Sequence, residues 1–466
     1  MENKYKNLIK DTLIFAVGNI GSKMILFLMV PLYTNFLSTN EYGTADLIFT
    51  ISQLLIPFVS ITIYNGVLRF GLSKNTKAED VLLSGIVVTG IGSIFTLLIT
   101  PFFKFYPAVA NWKWYISIYV IFSCFNLVEM NYLKVIKKNK IYALISIIQT
   151  LILALTNILL LVFAHFGVKG YILSNIIAII FSSILAFIMG HLFEALHKAK
   201  FDKKLTKEMM YFSAPIIIND ISWWIIHSSD KIMIEHMLDA SILGLYTVAT
   251  KIPSLINVII SIFSQAWGIS SVKEIESTNN KDFYKKVFEA YSFLTFSATI
   301  AVILIAKLFM RFYVSDSFFA AWRFIPLLVA SAAFSAISSY FGSLYGALKK
   351  NIHAMITTII AAIVNIILNY IFINKIGIWG AIVGTISAYG LISSIRLIDV
   401  NRYIKINDDI VGYMLNCILI VFSAIIISFD HNIILFSVII IVLFIAINFK
   451  KIKLISKINS RPSEGE

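Results

Sequence analysis

The chain has 466 residues, of which 59% are hydrophobic and 14% charged, and its formal net charge is +14. Soluble domains sit near about 45–50% apolar and about 25% charged, so no aqueous core holds this much apolar surface and lipid must be the solvent. The basic excess lies in short segments between apolar runs, which excludes a nucleic-acid footprint and gives the charge a topological meaning.

Apolar runs long enough to cross about 30 Å of hydrocarbon are read at Thr12–Tyr33, Ala45–Val67, Val81–Phe103, Trp114–Leu133, Ile141–His165 and Tyr171–Phe193. A polar stretch, Glu194 to Lys207, then interrupts the pattern. Further runs follow at Tyr211–Leu238, Gly244–Ile269, Val287–Met310, Arg323–Gly346, Ile352–Asn374, Ile378–Val400, Ile410–Ser428 and Ile433–Phe449. The first run carries Asn19 and Lys23, is too long for a signal peptide and has no small-residue cleavage site, so it is retained. Cys124 and Cys417 lie far apart in apolar runs, which excludes a disulfide framework or a cysteine metal site.

Charge distribution supports this reading. With the N-terminus inside, the inner segments hold about 29 basic residues, among them Lys134/Lys137/Lys138/Lys140 and Lys198/Lys200/Lys203/Lys204/Lys207, against about six outside. The pattern predicts an all-α polytopic membrane protein of about 14 spans with both termini cytoplasmic. There is also an internal echo. "LSTNEYGTADL" from Leu37 aligns with "LDASILGLYTV" from Leu238, Gly43 over Gly244, while Asn19 and Asn219 sit at nearly the same offset upstream. Matching elements six spans apart predict two six-helix bundles of the same orientation, residues 1–193 and 211–400. A cytoplasmic linker (194–210), two additional helices (401–449) and a basic tail (450–466) complete the chain.

Ionisable residues away from span ends carry the functional signal, because each costs at least about 2.5–3.5 kcal/mol in lipid. Lys23 lies near the middle of the first span, sharing a face with Thr12, Asn19 and Thr34, and a water-filled cavity suits it. In the seventh, Asp220, Trp224, His227, Lys231 and Glu235 form one polar-aromatic stripe, with Asp230 adjoining. The eighth places Thr247, Lys251, Ser254 and Gln265 on one face, and an ion pair of Asp230 with Lys231 or Lys251 fits the depths. A cavity walled by Lys23, Lys231 and Lys251 suits an anionic substrate such as a diphosphate. Asp220, His227, Asp230, Glu235, Arg69 and Glu129 are either H+ or Na+ coupling groups or structural ion pairs. Arg69 and Glu129 sit near inner span ends, where snorkelling or a mutual pair is expected. Lys307, Arg396 and Asp399 are expected to snorkel. The Ser331/Ser335/Ser339/Ser343 series is a small-residue packing face.

No glycine-rich nucleotide loop occurs and no cluster has metal-ligand spacing. The outer loops leave no room for a catalytic platform, so an enzyme is disfavoured and no cofactor is expected. A non-transporting scaffold gains nothing from a polar stripe in lipid.

The opening "NLIKDTLIFAVGNIGSKMILFLMVPLYTNFLSTNEYGTADL", together with "VLRFG", "DKIMIEHMLDASILGLYTVATKIPSL" and "GALKKNIHAMITTIIAAIVNIILNYIFINKIGIWGAIVGTIS", resembles the polysaccharide transporter family of the multidrug/oligosaccharidyl-lipid/polysaccharide (MOP) exporter superfamily. The resemblance covers nearly the whole chain. It implies two MATE-like bundles plus two C-terminal helices, and a Wzx-type O-antigen or capsule flippase in the bacterial inner membrane. The implied substrate is an undecaprenyl-diphosphate-linked oligosaccharide, moved by alternating access. Membrane lipids and glycan polymerase and assembly proteins are the implied partners, with no nucleic acid. Charged cavity residues carry over to Lys23, Asp230, Lys231 and Lys251, and Trp223 and Trp224 could stack on sugar rings. The alternatives are a cation-coupled multidrug exporter of the same superfamily and a flippase for the lipid-linked peptidoglycan precursor; few arginines lie in the spans, which weighs against the latter.

Overall fold

A computed structural model of the chain describes residues 21–274, 280–348, 350–404, 410–429 and 433–459, and among them every regular element is a helix. Lipid gives backbone amides no partner, so each spanning segment must bond to itself. Residues 21–28 are helical and lead into α1 (Val30–Phe36), followed by α2 (Thr39–Ser60), α3 (Ile63–Gly71), α4 (Ala78–Ile99), α5 (Lys113–Val135), α6 (Asn139–Asn157) and α7 (Gly167–Gly190). Then come α8 (Leu192–Lys198), α9 (Lys203–Met237), α10 (Ala240–Glu274), α11 (Asn280–Tyr313), α12 (Ile325–Ala347), α13 (Asn351–Ile376), α14 (Ile378–Asn401), α15 (Ile410–Ser428) and α16 (Ile433–Asn459).

Each apolar run from the second to the fourteenth has its helix, and residues 12–20 of the first lie outside the described residues. Eleven helices among the described residues are long and apolar enough to cross a membrane. The second run departs from a single span. Its helix starts at Thr39, six residues before the apolar run, because Ser38 and Glu41 form a capping box. It then breaks at Ile61 and Thr62, two β-branched residues with left-handed φ of 50° and 46°. The stretch 194–210 holds α8 and the first turns of α9, which Asp202 nucleates by accepting the backbone N–H groups of Lys204 and Leu205.

The chain divides into two compact units, Met1–Thr247 and Val248–Glu466. In the first, α5 packs on α2, α3, α4 and α7, and α9 runs along α2 and α3. Its core includes Ile63, Val67, Val81, Leu82, Val128, Tyr132 and Met209. In the second, α12 is nearly all buried, packed on α11, α14 and α15, while α13 lies against α14. Ser331 and Ser335 of the small-residue series are buried there.

Candidate functional site

The polar stripe of α9 faces α2 and α3. Trp224 Nε1 donates to the Thr50 carbonyl at 3.2 Å, and the Tyr64 hydroxyl donates to Asp220 Oδ2 at 3.3 Å. Lys231 Nζ lies 2.8 Å from Asp46 Oδ2, with side-chain exposures of 16% and 12%. Glu235 accepts the Tyr106 hydroxyl, whose proton is held well above the usual range by burial and by Glu235 itself. Lower on α9, Thr62 Oγ1 donates to the Ser213 carbonyl at 2.8 Å. These contacts form an antiparallel polar seam along both halves of the broken second span. His227, on the same stripe, stacks on Trp223 at 5.5 Å.

Of the two partners expected for Asp230, Lys231 is engaged elsewhere. Adjacent positions on a helix point about 100° apart, so Lys231 reaches Asp46 while the buried Asp230 accepts the Tyr246 hydroxyl and the Lys231 backbone N–H. An apolar run that begins at Ala45 puts Asp46 at a span edge, which hides this carboxylate in the sequence. The capped start at Thr39 moves it two turns inside.

The internal echo supplies the other half of the site. Ser38 caps α2, and Asp239, at the equivalent position, accepts the Ile242 N–H at 2.8 Å before α10. The two helix starts then meet reciprocally. A Cβ on Gly43 would lie 1.9 Å from the Ala240 carbonyl oxygen, and one on Gly244 would lie 2.0 Å from that of Thr39. At the same offset of 201, Thr247 Oγ1 donates to Asp46 Oδ2 at 3.0 Å. Asp46 therefore holds α9 and the start of α10 through one carboxylate oxygen.

Lys23 is exposed, beside exposed Met24, Leu26 and Leu28, while neighbouring Ser22 donates to the Ser146 carbonyl at 3.3 Å. Asn19 and the side chain of Gln265 lie outside the described residues. Lys251 falls in the second unit and is half-buried. Arg69 is exposed and Glu129 buried, and the expected mutual pair is not formed. The burial of Glu129 also rules out snorkelling. Among the described residues no group of His, Cys, Asp and Glu could hold a metal ion.

The second unit corrects a further expectation. Arg396 does not snorkel: it is 2% exposed. Its guanidinium donates to Thr357 Oγ1 (3.0 Å), Ser338 O and Oγ (3.0 and 3.1 Å), Ala354 O (3.1 Å) and Thr358 Oγ1 (2.9 Å). One side chain thus joins α14 to α12 and α13. Asp399, a turn on, accepts the Tyr345 hydroxyl at 2.8 Å and contacts His353 Nδ1 at 2.9 Å. Lys307 lies over the Trp322 ring at 4.8 Å.

A polytopic helical fold with charges fixed inside its spans defines an integral membrane protein. The model of the family described as polysaccharide biosynthesis protein matches residues 8–268, more than half of the chain, and the chain belongs to that family. Two Haemophilus influenzae proteins are similar: Lsg locus protein 1, 22% identical over 265 residues (55% of this chain, 64% of that one), and an uncharacterised membrane protein, 23% identical over 273 residues (56% and 64%). The match spans less than two thirds of either relative. Among solved structures, the lipid II flippase MurJ in an inward closed conformation superposes with a TM-score of 0.70 at 16% identity, covering 96% of this chain and 100% of that one. An inward-facing multidrug resistance MATE family transporter of the MOP superfamily gives 0.68 at 13% identity, covering 82% and 94%. At these identities the likeness is one of fold, and it is the fold expected from the resemblance.

Proposed function

We propose that the protein is a flippase that moves a polyprenyl-diphosphate-linked oligosaccharide across the bacterial cytoplasmic membrane, with both termini on the cytoplasmic side. The observation that carries this reading is an exchangeable amine inside the spans of a polysaccharide biosynthesis protein. Lys231 sits on a single carboxylate oxygen that Thr247 shares. An ammonium is a compact point charge on a flexible stem and can change partners where a bidentate guanidinium would resist. A substrate diphosphate, with more negative charge than Asp46, competes for Lys231, with Lys23 as a further cation of the same unit. Trp224 is anchored to Thr50 and Trp223 stacks on His227, and both rings are offered to the sugars of the substrate. O-antigen, capsule or another surface glycan supplies the oligosaccharide, and glycan polymerase and assembly proteins are the proposed partners.

The test is a deletion strain. Undecaprenyl-diphosphate-linked repeat units should accumulate on the cytoplasmic face and surface glycan should fall, with restoration by the wild-type chain. Purified protein in liposomes should move a fluorescent lipid-linked oligosaccharide. Unchanged glycan together with altered drug susceptibility would reverse the assignment in favour of drug export.

A further inference from the structure

Between α7 and the apolar run of α9 lies a segment, residues 192–211, that the site described above does not use. One side of it is built into the first unit. Leu192, Leu205 and Met209 join the core around Val67 and Val81. Thr206 Oγ1 donates to Ser84 Oγ at 2.9 Å, and the Lys200 backbone N–H donates to Asp80 Oδ1 at 2.7 Å. Helix spacing then decides what the other side carries. With Leu205 and Met209 turned inward four residues apart, Lys203, Lys207 and Tyr211 share the outward face of α9.

That outward side is both basic and apolar. Lys198, Lys200, Lys203, Lys204 and Lys207 fall within ten residues and are all exposed, against one carboxylate, Asp202, which is engaged in the α9 cap. Among them stand exposed aromatic rings: Phe193 at 73%, Phe201 at 53% and Tyr211 at 70%, with Lys207 Nζ over the Tyr211 ring at 5.6 Å. A run of lysines alone is an ordinary solvated surface. Water gives no reason for phenylalanines between them, whereas the boundary of a bilayer takes aromatic rings at headgroup level and amines among the phosphates. Length agrees. The 35 residues of α9 make a helix about 52 Å long at about 1.5 Å per residue, well beyond about 30 Å of hydrocarbon, so its basic start lies in the interfacial layer.

We infer that residues 192–211 form a fixed docking surface for anionic phospholipid headgroups of the adjoining leaflet, the lysines pairing with phosphates while Phe193, Phe201 and Tyr211 enter the headgroup layer. Clusters of about four to eight basic residues next to a spanning helix favour anionic lipid in this manner, and each lysine held at such a surface strengthens the association about fivefold. Because the inward side is pinned to α4, a rigid scaffold presents the lysines, and little ordering entropy opposes the contact. The lipid bound here is a component of the bilayer and not the transported molecule, so the surface stands whether or not the flippase reading does.

The test uses the full chain with Cys124 and Cys417 replaced by alanine and a fluorophore on a single Ala199→Cys, reconstituted in phosphatidylcholine vesicles. A nitroxide-labelled lipid is included at one mole fraction, either phosphatidylglycerol or phosphatidylcholine, with the nitroxide at the same chain position. Quenching by the anionic lipid should be stronger by about fivefold at low salt. It should fall to the phosphatidylcholine value in about 1 M salt, where the Debye length is about 3 Å. Replacing the five lysines by glutamine should remove the difference while the thermal midpoint stays that of the parent chain. Equal quenching by the two lipids at low salt would overturn the proposal, as would a preference unmoved by salt or retained by the glutamine variant. Quenching by neither lipid would give the face to water or to a soluble acidic partner and overturn it too. The salt series needs no substituted lysine, so a glutamine variant that fails to fold still leaves the outcome decided.

Discussion

Truncating one member of a buried ion pair leaves the other charge without compensation, at a cost of about 3–5 kcal/mol. Lys231→Ala should therefore lower the thermal midpoint of the purified protein markedly, and Asp46→Asn should cost less, because Thr247 can still donate to the amide oxygen. Combining Lys231→Met with Asp46→Leu, which removes both charges, should restore most of the stability but not transport. A double variant as unstable as Lys231→Ala alone would show that the pair does not act as a unit. The sequence made the amine legible, since a lysine deep in a span has few bland explanations. Its partner was not, because helix starts are set by caps such as Ser38 and Glu41 that hydropathy does not register. Arg396 was missed for a related reason: its acceptors are hydroxyls and carbonyls, and these carry no charge for a pairing argument to find. A lysine cannot reproduce a five-donor fork, so Arg396→Lys should loosen α12, α13 and α14 together, read as faster proteolysis within the second unit.

At the scale of elements, the echo between the two hairpins is a packing device. A side-chain carbon less than about 2 Å from a carbonyl oxygen lies well inside van der Waals contact, so even alanine forces the two helix starts apart. Gly43→Ala and Gly244→Ala should each destabilise, and the double variant should cost less than the sum, since the first substitution already separates the starts. Full additivity in thermal-shift measurements would refute the reciprocal contact. The break at Ile61–Thr62 behaves differently. Left-handed backbone at a β-branched residue stores about 1–3 kcal/mol, so Ile61→Gly offsets its lost burial by releasing strain. Ile63→Gly, at a fully buried helical position, has no such relief. Ile61→Gly should consequently be the milder of the two by about 2 kcal/mol. The break itself was invisible in the sequence, for Ile-Thr is an ordinary dipeptide within a span. What holds it is Thr62 bonded to the Ser213 carbonyl, a contact made 151 positions away.

For the whole molecule, hydropathy was enough to foresee an all-helical polytopic fold, because lipid allows one backbone solution. Helix packing within each unit was not available that way, since small and aliphatic residues pack in many combinations. Sidedness leads to a prediction about orientation. The turn that contains Lys137 and Lys138 should face the cytoplasm, and the turn that contains His165 and Phe166 should face away from it. Single cysteines at Lys137 and Phe166, in a chain with Cys124 and Cys417 replaced by alanine, should react oppositely with a membrane-impermeant maleimide added to intact spheroplasts. Phe166→Cys should label and Lys137→Cys should not until the membrane is opened. The reverse pattern would place Glu129, six residues from the end of α5, next to the opposite compartment.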